Sequence, residues 1–207
     1  ATRAVELRRE GAADKRGDAH ARLIDALASL ARHLLAAGDA AFADSSLAEA
    51  ESLIPRKLPA GDAWRARAVM LSRIRASLEQ GRNRHAEAIA AFETALRALP
   101  QPKGPAKRDL AATRVQMLVR LGRSRLALGQ AESVATEAAE CEALVGLLVG
   151  EVPHRAIETL RAAVLANEGA ALVALGQYVE AERRFGSGLA ILAAHTAPEM
   201  EDLRRQM

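Results

Sequence analysis

One pattern recurs four times along this chain: a long amphipathic stretch, a glycine, then a second amphipathic stretch. The glycines are Gly38, Gly81, Gly129 and Gly176, at spacings of 43, 48 and 47 residues. Self-similarity at such a period is the mark of a repeat architecture. Each glycine follows a predicted helix and precedes a polar residue, where a left-handed conformation can end the helix. Pro55 and Pro100 close the first two units, since proline cannot continue a helix. A helix pair cannot bury its apolar face alone, so stacked neighbours must supply the core. Composition agrees: 50% of the 207 residues are hydrophobic but only 2% are aromatic, and alanine, leucine, arginine and glutamate dominate. That mixture favours helix and speaks against a β-sandwich or barrel, which needs β-branched and aromatic residues.

The predicted helices span 2–15, 18–37, 40–54, 60–80, 85–99, 106–128, 131–147, 154–175, 178–194 and 198–206. Proline-bearing breaks fall at 55–59, 100–105 and 150–153. Small residues let paired helices approach closely: Ala31, Gly122 and Gly169 in first helices, Ala43, Ala88 and Ala181 in second ones. Leu30, Leu121, Phe92 and Phe185 are expected to fill the gaps between pairs. Of the five aromatic residues, Trp64, Tyr178, Phe42, Phe92 and Phe185, most are expected at core positions.

These residues resemble the tetratricopeptide repeat. The fourth unit carries most of the signature: Gly169, Leu172, Gly176, Tyr178, Ala181, Phe185 and Leu189. The second fits through Ala88, Phe92, Ala95, Leu96 and Pro100, with Arg73 and Ile74 in place of the small residue and a longer turn. The third fits through Leu118, Leu121, Gly122 and Gly129, with Val134 in place of alanine, and the first through Leu27, Leu30, Ala31, Gly38, Ala43 and Pro55. The spacing exceeds the usual ~34 residues. It is closer to the long-repeat variety similar to kinesin light chains and many bacterial regulatory proteins. The resemblance implies an all-α, right-handed α-solenoid of antiparallel helix pairs, a single domain over 1–207. Its repeats are expected at about 18–55, 60–100, 106–149 and 154–195. Partial units at 2–15 and 198–206 read as cut from an array or as capping it, their apolar sides (Val5, Leu7; Met200, Leu203) covered by fold-back, missing sequence or another copy. A monomer with frayed ends is expected.

No catalytic constellation emerges. His20, His33, His85, His154 and His195 show no metal-ligand spacing, so no metal site and no cofactor are expected. Cys141, the one cysteine, lies between Glu140 and Glu142, which disfavour a thiolate and leave it a packing residue. Gly186-Ser187-Gly188 sits inside a predicted helix and is no phosphate loop. Arg16-Gly17-Asp18 reads as a helix–helix turn with Asp18 capping the next helix. No apolar run is long enough to span a membrane, and residues 1–12 hold no apolar signal core, so a cytoplasmic protein is expected.

Charge carries the functional reading. The net charge is 29 − 26 = +3, with 25 arginines against four lysines. Helix 106–128 sets Lys107, Arg108, Arg114, Arg120, Arg123 and Arg125 against Asp109 alone. Helix 60–80 sets Arg65, Arg67, Arg73 and Arg75 against Asp62 and Glu79. Helices 40–54 (Asp44, Glu49, Glu51) and 131–147 (Glu132, Glu137, Glu140, Glu142) hold no cation. The resemblance implies that first helices line a concave groove and second helices the convex back, hence a basic groove and an acidic back. Counting six residues back from each turn glycine gives Arg32, Arg75, Arg123 and Ala170. The three arginines would form a ladder with one rung per ~10 Å of helix packing, extended by Gln116, Arg120 and Asn167. Arginine pairs bidentately with carboxylates, so an acidic peptide is the natural ligand. The alternative is a solvated, self-paired charge surface.

The function expected is a protein–protein interaction scaffold, adaptor or sensor module without enzymatic activity, holding a protein or peptide segment in its groove. The competing readings are nucleic-acid binding, disfavoured by the lack of surface aromatics for stacking, and a regulatory domain of a larger enzyme or transcription regulator.

Overall fold

The computed structural model describes the backbone of residues 2–55, 62–101, 107–148 and 154–206, and the side chains of 19–55, 63–101, 107–148 and 155–194. Among the described residues every regular element is an α-helix: α1 (Thr2–Ala36), α2 (Ala40–Ser52), α3 (Asp62–Gly81), α4 (His85–Ala98), α5 (Lys107–Ala127), α6 (Ala131–Gly146), α7 (His154–Ala174) and α8 (Tyr178–Gln206). The chain divides into two compact units, Ala1–Leu99 and Pro100–Met207, each with two helical hairpins. In the first unit α1 pairs with α2 and α3 with α4, while α3 packs on both α1 and α2. The second repeats the scheme: α5 with α6, α7 with α8, and α7 on both α5 and α6.

Two expected breaks are absent. The helices predicted at 2–15 and 18–37 run as one, α1, straight through Arg16-Gly17-Asp18, so no helix starts at residue 18. A mid-helix glycine costs only ~1 kcal/mol relative to alanine, less than ending one helix and nucleating another among strong helix formers. The segments 178–194 and 198–206 likewise join in α8 through Pro198, which removes one backbone donor without ending the helix. Neither end is a separate helix. The packing of Val5, Leu7, Met200 and Leu203, the side chains of His154 and His195, and the connections at 56–61, 102–106 and 149–153 lie outside the described residues.

All four turns share one hydrogen bond. The residue after the left-handed position donates its N–H to the carbonyl five residues back: Asp39 to Leu34, Arg84 to Glu79, Gln130 to Arg125 and Gln177 to Leu172, at 2.8 to 2.9 Å. Gly38, Gly129 and Gly176 hold the left-handed φ, as expected. In the second turn Asn83 holds it, at φ +58°, and Gly81 is the last residue of α3. Asparagine tolerates this conformation better than most side chains. The longer turn noted in the sequence is therefore a longer helix, and the register of α3 moves by two residues. Asp39 also caps α2, accepting from the Phe42 N–H at 3.2 Å.

The first unit's core joins Ile24, Ala28 and Ala31 of α1 to Leu47 and Ala50 of α2 and to Leu71, Ile74 and Leu78 of α3. In the second, Val115, Leu118 and Leu121 of α5, Val134, Cys141 and Leu144 of α6, and Val164, Leu165 and Leu172 of α7 are buried. Leu121 and Phe92 fill the interior as expected. Leu30, Phe42, Tyr178 and Phe185 do not: all four are exposed, and of the aromatic residues only Phe92 is buried. Gly169 makes the predicted close approach, since a Cβ there would stand 2.9 Å from the Phe185 ring.

Candidate functional site

The two charge populations that the sequence separates into a groove and a back meet between helices. Arg75 of α3 donates through Nε and Nη2 to the two carboxylate oxygens of Glu51 on α2, at 3.2 and 2.8 Å, and through Nη1 to Asp44. Arg82 donates to the second Asp44 oxygen at 2.7 Å and to the Ala40 carbonyl at 3.1 Å. Buried Glu79 lies 3.5 Å from Arg75, 3.9 Å from Arg82 and 3.5 Å from Arg84. The hydrogen bond from Arg75, then that from Arg82, holds the Asp44 carboxyl below its usual range. Glu51, against the opposing effect of burial and with help from Asp44, pushes Arg75 above the usual guanidinium range. A second bracket joins α3 to α1: Arg67 donates to both oxygens of Asp25 at 3.0 and 2.8 Å, its guanidinium 5.7 Å from the Trp64 ring centre.

The second unit follows the same logic. Arg114 donates to Glu140 at 2.7 Å, Arg125 pairs with Glu137, and Arg161 of α7 lies 3.5 Å from Glu142 of α6. Arg184 Nε is 3.2 Å from both Glu168 and Glu180, yet is buried without an aligned hydrogen bond. Burial, and then the neighbouring Glu142 and Glu180 charges, raise Glu168 above the usual carboxyl range in spite of Arg184.

The six residues expected to line a groove fall into different places. Arg75 is not a free rung. It has three carboxylate partners, and once the turn is referenced to Asn83 the residue six back is Ser77. Arg32 is exposed on α1 with no ion pair among the described residues. Gln116, Arg120 and Arg123 are exposed on α5 at spacings of four and three, which places them on one stripe. Asn167 is a brace: its Nδ2 donates to the Val119 carbonyl at 2.7 Å, directly over Gly122, where a Cβ would stand 2.9 Å from that nitrogen. Of the six, α5 alone brings three together.

Beside Asn167 a narrow crevice, partly open to solvent, runs between α5, α6 and α7 among Gly122, Val134, Ala138 and Cys141, with Glu137 and Glu168 on its lining. Burial, and then Glu140, Glu137 and Glu142, push the Cys141 thiol up to about 12, so it holds no thiolate at neutral pH. Among the described residues no three of His, Cys, Asp and Glu are grouped to hold a metal ion, and no helix is long and apolar enough to cross a membrane. The spacing from the turn glycines does not point to Arg82, Glu51 or Asp44. Their signal in the sequence is an acidic helix without cations followed by a basic one. No family profile, curated protein or solved structure matches the chain.

Proposed function

We propose that the chain is a tetratricopeptide-like helical-repeat scaffold, a right-handed α-solenoid in the cytoplasm that holds an acidic segment of a protein partner against its first helices. The observation that carries this reading is the fourfold recurrence of one hairpin: the same left-handed turn, the same hydrogen bond five residues back, and in each unit a third helix seated on both members of the hairpin before it. Such arrays offer rigid, repeated helix faces as binding surfaces. The α5 stripe of Gln116, Arg120 and Arg123 is the face with the matching chemistry, since guanidinium groups take carboxylates in charge-assisted pairs.

The test is capture of a partner with the full chain, then titration of its acidic segment. Arg123→Ala and Arg120→Ala should each weaken binding by ~1–3 kcal/mol, with affinity falling as salt rises. Glu132→Ala, on the exposed side of α6, should do little. Equal losses from Glu132 and Arg123 would place the partner elsewhere.

A further inference from the structure

In each hairpin the positions 2, 6, 9, 13 and 16 residues after the left-handed turn residue form one stripe of the second helix and its immediate continuation. On α2 they are Ala40, Asp44, Leu47, Glu51 and Ile54, and α3 covers them. Leu47 is 0% exposed, Ala40 and Ile54 join the core with Leu71, Ile74 and Leu78, and Asp44 and Glu51 receive Arg75 and Arg82. On α6 the stripe includes Ala138, Glu142 and Val145. Ala138 and Val145 are buried, and Glu142 meets Arg161 of α7. On α8 the same positions hold Tyr178, Glu182, Phe185, Leu189 and Leu192, and this stripe is open. Phe185, at the position of buried Leu47, is 36% exposed, and Leu189 is 67% exposed. Glu182, at the position of Asp44, is exposed and forms no ion pair among the described residues.

We infer that the α8 stripe is a docking site for an amphipathic helix of a partner protein that carries an arginine, seated as α3 is seated on α2. An aliphatic ridge on that helix covers Phe185, Leu189 and Leu192, and its arginine pairs with Glu182. Shape and charge both select this occupant: apolar residues four and three apart match a helix, and a carboxylate among them, once covered, needs a cationic donor. This surface is separate from the α5 stripe and rests on the proposed function only in treating the chain as an interaction module.

The chain's own α3 supplies the probe. A labelled synthetic peptide of residues 62–84, which contains Arg75 and Arg82, is titrated with the full chain and followed by fluorescence anisotropy. Saturable binding is expected, weakened at least about tenfold by Glu182→Arg or Leu189→Asp and unchanged by Arg123→Ala. A peptide with Arg75→Glu and Arg82→Glu should lose it against the unaltered protein, which covers the case of a variant that misfolds. No saturable binding, or binding indifferent to Glu182→Arg, overturns the assignment. So does a chain that doubles its mass with concentration and stays single with Glu182→Arg, because the occupant is then a second copy. Loss of acidic-segment binding in Arg123→Ala with peptide binding intact separates this site from the α5 reading.

Discussion

Gly122 has no side chain because Asn167 occupies the space where one would go. The carboxamide lies 2.9 Å from that point and donates at 2.7 Å to the Val119 carbonyl, so one glycine and one asparagine together tie α7 to α5. Gly122→Ala should therefore destabilise the chain by ~1–3 kcal/mol, although alanine is the better helix former. In an Asn167→Ala background the same change should turn neutral or stabilise by up to ~1 kcal/mol. A double-mutant cycle in urea measures the difference, and additive costs would mean that the carboxamide is not the obstacle. Cys141, buried and with its thiol pushed up to about 12, should resist an aromatic disulfide reagent in the native state and react once the chain unfolds. Prompt native labelling would mean that the α5–α6–α7 crevice opens readily.

At the scale of the helix contacts, Asp44 and Glu168 respond to acid in opposite directions. Asp44 has its folded pKa below the ordinary 3.8, chiefly through Arg75. The stabilisation it gives to the α2–α3 contact is complete above the unfolded value and is lost as pH falls through the folded one. Asp44→Asn should cost stability at pH 7, and its difference from the parent should shrink as the pH falls below about 4. Glu168 has the reverse sign. Burial first, then Glu142 and Glu180, raise it above the ordinary 4.5, so its contribution is most favourable below that value and diminishes as pH rises through the folded pKa. Glu168→Gln should raise the melting temperature at pH 7 and lose that advantage in acid. A lower melting temperature at pH 7 would show that the Arg184 contact outweighs burial.

Across the whole chain, 29 cationic and 26 anionic residues leave +3, and much of the cationic surface is spent internally. Arg67, Arg75, Arg82, Arg114, Arg125 and Arg161 all face carboxylates on other helices. Phe42, Tyr178 and Phe185 are exposed, contrary to the expectation that most aromatics lie in the core, so they leave single-strand stacking open. Charge disfavours it. With these arginines paired, a random oligonucleotide should bind weakly and with a shallow salt dependence, a slope in log–log form of ~2 or less. A steep slope would revive the nucleic-acid reading. Far-UV circular dichroism should report an almost wholly helical protein, and strand content above ~10% would contradict the fold.

Local chemistry made most of the helices and their turns legible in the amino-acid order. Alanine- and leucine-rich amphipathic stretches become helices, and Gly38, Gly129 and Gly176 end them because a left-handed backbone is cheap for glycine. Where two neighbouring residues could serve, the tertiary structure chose. Asn83 took the turn and Gly81 stayed in α3, placing Ala88 five residues beyond the left-handed position, as Ala43 and Ala181 are. That two-residue shift took Arg75 out of the expected ladder. The partners of the arginines were beyond sequence reading for the same reason. Arg75 finds Glu51 24 residues away, and Arg82 finds Asp44 38 residues away. Which face of α3 turns toward α2 depends on how the two helices pack and rotate against each other. Composition shows that the basic and acidic helices differ, and only the rotation of one against the other decides whether their charges face a partner or each other.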